Sequence, residues 1–201
     1  NAVVGGATYT PVATATSGLS VAITVTGYCT ISSGVISFTG AGNCVVTFNQ
    51  SGTNKYSAAP AQSQTISVAP GTQVITWSSP SAASVGDTYT FSGTVNSGLP
   101  ITVTEDPNSQ AVCQYANGVV TYLAAGNCVM TATQSGTSDW IAATAVTYTV
   151  VVSQVSQSLT LTPSSTSTSV GAVVALNGSA TSGLGVNYTI DASSTATCTV
   201  D

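Results

Sequence analysis

Apolar and polar residues alternate along this chain in short runs. Val35-Ile36-Ser37-Phe38-Thr39 places Ile36 and Phe38 on one face, and Val119-Val120-Thr121-Tyr122-Leu123 does the same with Val120 and Tyr122. A two-residue period is that of a half-buried β-strand, and no stretch carries helical spacing. Residues 44–49 predict a strand with Cys44, Val46 and Phe48 inward and Val45, Thr47 and Asn49 outward. Residues 128–133 repeat the pattern, with Cys128, Met130 and Ala132 set against Val129, Thr131 and Thr133. The runs are broken by Gly, Asn, Ser and Pro. Asn117-Gly118 stands where a tight hairpin turn is wanted, and Ser33-Gly34 holds the corresponding place earlier in the chain. The strand Gln64–Val68 leads through Ala69-Pro70-Gly71-Thr72 almost directly into a further strand at Val74–Trp77.

The pattern repeats because the sequence does. Residues 41–60, AGNCVVTFNQSGTNKYSAAP, match residues 125–144, AGNCVMTATQSGTSDWIAAT, at twelve of twenty positions and an offset of 84. The triplet Ser-Gly-Leu occurs at 17–19, 97–99 and 182–184, and the first cysteine of each copy is Cys29, Cys113 or Cys198. The short length difference in the first copy falls beside Glu105-Asp106 of the second, where a loop absorbs it. About seven strands per copy, with turns every 8–12 residues or so, suggest an immunoglobulin-like sandwich. The expected fold class is therefore all-β: tandem immunoglobulin-like β-sandwich repeats of about 84 residues, with some other all-β sandwich as the alternative. The expected boundaries are 1–70 for a first repeat without its opening strand, 71–154 for a complete second, and 155–201 for the first half of a third. Either the chain is a window on a longer array, or neighbouring chains supply the missing strands as in donor-strand polymers. No signal peptide is visible, as expected of a mature or internal segment.

Composition narrows the function. Hydrophobic residues make up 43% of the 201, enough for a buried core, while charged residues are 3% against about 25% in ordinary domains. Lys55 is the only cation and there is no Arg or His. A phosphate backbone needs cations to displace its counterions, so nucleic acid is not an expected partner. No apolar run is long enough for a transmembrane helix, and membrane insertion is not expected. A surface this poor in charge stays dispersed through hydroxyls and amides, through glycans, or by burial in an assembly. Lacking histidine, the chain lacks the usual general base, and no enzymatic activity is expected. Glu105 and Asp106 read as solvated turn residues. Neither closely paired cysteines nor an acidic cluster calls for a metal, and no cofactor is expected.

Cys29 and Cys44 are 15 residues apart, as are Cys113 and Cys128, and equal spacing in two copies argues for one disulfide within each. Reduced core thiols or a metal site are the competing readings. A bridge closing a loop of this size stabilises by about 3 kcal/mol and implies an oxidising compartment. Cys198 has no partner at the same spacing and is expected to be unpaired.

Taken together, Ser-Gly-Leu, the first cysteine, AGNC, QSGT and an aromatic followed by Ala-Ala resemble the tandem bacterial Ig-like repeats of large secreted and cell-surface proteins, often adhesins. The resemblance spans nearly the whole chain. It implies an extracellular module used as spacer or scaffold, and it carries over no ligand.

The expectation is an extracellular structural segment forming a stalk, fibre or filament, whose partners are other copies of itself or adjoining repeats. Two alternatives stay open: an adhesin module binding carbohydrate or a host protein, and a filament subunit polymerising by strand exchange. Tyr56 and Trp140 share one repeat position and read as packing anchors or as a recognition surface. Candidate N-glycosylation sites are Asn49, Asn177 and Asn187, each opening an Asn-x-Ser/Thr sequon.

Overall fold

The computed structural model describes residues 1–200. It is β-sheet almost throughout, and its only helical element among those residues is the short 3-10 turn Pro107–Ser109, capped by Asp106. Residues Asn1–Ser153 form one compact unit, and a second begins at Gln154.

The first unit holds two hydrophobic cores built on one plan. In the first, strand Gly42–Gln50 lies between Ala22–Gly27 and Ala59–Ala69, both antiparallel to it, and Ala2–Val3 runs parallel along the end of the latter. In the second, Gly126–Thr133 lies between Thr102–Glu105 and Val146–Ser153, with Ala82–Ser84 parallel on the outside. Each four-stranded sheet packs on a hairpin. Cys29–Ser32 pairs with Val35–Phe38, where Ile36 also bridges to Tyr9. Cys113–Ala116 pairs with Val119–Tyr122, which also pairs with Thr88–Thr90.

The alternation in the sequence accounts for these elements. Cys44 and Val46 are fully buried, as are Cys128, Met130 and Ala132, while their odd-numbered neighbours on the other face are exposed or half-buried. Burying each large aliphatic side chain contributes about 1.5–3 kcal/mol. Both hairpins turn through two residues of positive φ, Ser33-Gly34 at 48° and 78° and Asn117-Gly118 at 51° and 82°. That is the turn whose twist matches the strands, and asparagine tolerates it better than serine.

Cys29 is bonded to Cys44 and Cys113 to Cys128, with Cα atoms 5.5 and 5.7 Å apart. Each bridge ties the hairpin to the central strand of the larger sheet and so fastens the two layers at the middle of the core.

The second core has a further two-stranded pairing. Ile75–Thr76 pairs antiparallel with Thr94–Val95, and Ile75 and Trp77 enter the core. Trp77 meets Phe91 and Tyr148 edge-on, with ring centroids 5.2 and 4.9 Å away.

The second unit, described by itself, is a hairpin of Leu159–Pro163 and Leu176–Ala180. Tyr188 folds over it, accepting from the Gly178 amide at 2.6 Å. None of its described residues is buried.

Candidate functional site

Within the compact unit, the most built feature is where the 134–142 loop of the second core meets the end of the first. The shared QSGT segment shapes this loop and its counterpart at 50–58. Gln134 Oε1 accepts from Gly136 N at 2.5 Å, and Gln50 Oε1 accepts from Gly52 N at 2.9 Å. The next turn closes from Thr137 N to Trp140 O and from Thr53 N to Tyr56 O, both at 2.8 Å. The repeated sequence is therefore a loop scaffold that presents one aromatic residue.

In the 134–142 loop that residue is Trp140. Its ring packs against the core that contains Val4, Val46 and Val68. The linker residue Gly71 is clamped beside it, donating to Asp139 O at 2.9 Å and accepting from Ile141 N at 2.8 Å. Asp139 Oδ1 reaches across to accept from Ala41 N at 2.8 Å. Two glycines make room. A Cβ on Gly71 would lie 2.5 Å from Val4 O and 2.7 Å from the indole, and one on Gly5 would lie 2.9 Å from it. Tyr56, by contrast, is 42% exposed, and Lys55 leans over its ring, with Nζ 5.4 Å from the centroid.

A second feature is a groove of about 730 Å³ in the first core, lined by Tyr9, Ala15, Ser17, Phe48, Gln50 and Gln64 among others. In the second core the matching space is filled by residues 73–77. There the buried Gln73 donates from Nε2 to Gln134 Oε1 at 2.6 Å and to Ile141 O at 2.8 Å, and accepts from Ser97 Oγ. Trp77 Nε1 donates to Tyr89 OH at 3.2 Å, and Tyr148 OH donates to Trp77 O at 2.8 Å. In the first core Tyr9 OH reaches Gln64 Oε1 instead, at 3.3 Å.

The remaining candidates are scattered. Asn49, Asn177 and Asn187 are all exposed, and Cys198 is an exposed free thiol. Glu105 is less solvated than a turn residue: it sits in a strand, and its Oε2 accepts from Tyr115 N at 2.7 Å. Asp106 caps the 3-10 turn through Asn108 N at 2.8 Å. Asp191 is held below the usual carboxylate range by hydrogen bonds from the Ser193 hydroxyl and amide. Among the described residues no cluster of three or more His, Cys, Asp or Glu is placed to hold a metal, and no helix is long and apolar enough to cross a membrane. No protein-family model matches the chain, and no curated protein matches it.

The roles of Asp139 and Trp140 are invisible in the local pattern. Asp139 reads as the freely varying counterpart of Lys55, and Trp140 as an anchor for its own Ala-Ala turn. Gly5 and Gly71, which leave space for the indole, lie far from it and from each other along the chain, so the sequence carries no local signal for the joint.

Proposed function

We propose that the chain is structural: immunoglobulin-like sandwiches set end to end outside the cell, making the length of a stalk, fibre or filament. The observation that carries this reading is the joint. A tryptophan, a carboxylate–amide hydrogen bond and a clamped glycine fix one core against the next, so that successive cores make a stiff element rather than a loose string. The sandwich reading is supported in each core by a four-stranded sheet packed on a smaller one with a disulfide between them. An extracellular setting is supported by those same bridges, which persist in oxidising compartments, and by a surface that relies on hydroxyl and amide groups in place of charge.

Electron microscopy of native material, combined with its intact mass, tests the proposal. Thin rods or filaments of uniform width are expected. A compact monomer with measurable affinity for a glycan or a host protein would replace the structural reading with a recognition one.

A further inference from the structure

The geometry points to a cleft of the second core, with Tyr122 at its floor, as a binding site for a sugar held through two neighbouring hydroxyl groups. This goes beyond the reading above, since a chain that makes length needs no small ligand.

The cleft, of about 540 Å³, lies where the outer strand Ala82–Ser84 of the larger sheet turns into Thr88–Thr90 of the smaller one. Pro80, Ala83, Asp87, Thr88, Tyr89 and Tyr122 are among the residues that line it, all of them in the second core. Two backbone bonds hold its floor in place: Gly86 N donates to Tyr122 O at 2.9 Å, and Tyr122 N to Asp87 O at 3.1 Å.

Tyr122 is 1% exposed, and its hydroxyl meets no hydrogen-bonding group among the described residues. No side-chain polar atom shut off from solvent lacks a partner there, so this hydroxyl is the part of Tyr122 that reaches the cleft. Tyr89 is already committed, its hydroxyl donating to Ser78 O and accepting from Trp77 Nε1. Asp87 spends Oδ2 on the Ser84 amide at 2.8 Å, which leaves Oδ1 open.

These two groups select the ligand. A carboxylate only accepts hydrogen bonds, while a neutral phenol donates one. Burial, then Tyr89 and Asp87, push the Tyr122 phenol above its ordinary value of 10.0, so it keeps its proton at neutral pH. The ligand must therefore bring a donor for Asp87 and an acceptor for Tyr122 side by side. An alkylammonium brings donors alone, and an anion is repelled by Asp87. Two adjacent hydroxyls bring both, and Pro80 and Ala83 offer apolar surface to the C–H groups of a sugar ring. The first core lacks the pair: Phe38 stands at the position of Tyr122, and Gly5-Gly6-Ala7-Thr8 holds no carboxylate where the second core has Asp87.

NMR of the whole chain with isotope-labelled tyrosine rings, titrated with the methyl glycosides of glucose, mannose and galactose, tests this. At least one glycoside is expected to shift the Tyr89 and Tyr122 signals saturably, with millimolar affinity. Read at Tyr89, Tyr122→Phe and Asp87→Asn should each weaken that affinity about tenfold. Both variants are mild: the first places in this core the residue that the other core uses, and the second keeps an acceptor for Ser84 N. The inference is overturned if no glycoside shifts these signals, if butylammonium saturates the site in their place, or if the affinity survives both variants. Neither result touches the structural reading, because rods that bind a sugar are still rods in the microscope.

Discussion

Removing the Trp140 ring should loosen the first core far more than the second, although Trp140 belongs by sequence to the loop of the second. A fully buried tryptophan truncated to alanine costs about 3–5 kcal/mol. Trp140 is only partly buried, against the core around Val4, Val46 and Val68, so about 2 kcal/mol is the reasonable scale. Asp139→Ala removes the hydrogen bond to Ala41 N, 2.8 Å long. Hydrogen bonds to charged groups contribute about 1.5–3 kcal/mol, and partial exposure of this carboxylate lowers the figure to about 1 kcal/mol. The two changes share one contact surface, so the double variant should fall short of their sum. Hydrogen exchange read by mass spectrometry resolves the two cores. Trp140→Ala should speed exchange at Val4, Ala41 and Gly71 by roughly 30-fold, the equivalent of 2 kcal/mol. Exchange at Met130 and Val150 should change little. Equal loss of protection in both cores, or unchanged protection at Ala41 and Gly71, would refute the argument that this ring couples them.

Three other outcomes follow from the same structure. Cys113→Ala/Cys128→Ala should cost about 3 kcal/mol, seen as a lower urea midpoint for the second core, while Cys29–Cys44 keeps the first in place. Ser33→Asn should stabilise the first hairpin by about 0.5 kcal/mol or more, because Ser33 sits at φ 48° where the second copy uses asparagine; the thermal midpoint measures it. The phenol of Tyr122 is pushed above its ordinary value of 10.0 by burial, then by Tyr89 and Asp87. Its neutral form is therefore favoured by folding: the contribution is complete below that ordinary value and is lost as pH rises through the higher folded one. Thermal midpoints measured across the alkaline range should fall more steeply for the native chain than for Tyr122→Phe.

Much of the architecture could be read from residue order because it is written locally. Burial of Cys44 with Val46, and of Cys128 with Met130 and Ala132, follows from a two-residue period, and each hairpin from its turn pair. The cysteine spacing needed only the assumption that two copies do the same thing. Phe48 shows where the pattern loses force. It lies on the same strand face as Cys44 but is only half-buried, because it lines the groove. Leu159 and Leu161 are alternate apolar residues of one strand, yet both are exposed. The joint was beyond reach for a different reason. The bond from Ala41 to Asp139 spans 98 residues, and no window of sequence relates positions so far apart.

A short parallel outer strand gives each core a direction in which it is strong. Ala2–Val3 lies parallel to the end of Ala59–Ala69, and Ala82–Ser84 to the end of Val146–Ser153. A load that drags these neighbours in opposite senses along their length strains every bond of the patch at once. The patch then resists as a lap seam does, where a hairpin opened from its tip would unzip one rung at a time. Each disulfide ties an inner strand of this sheet, through Cys44 or Cys128, to the hairpin packed on it, so a core whose outer seam slips still keeps its centre tied and can close again once the tension is released.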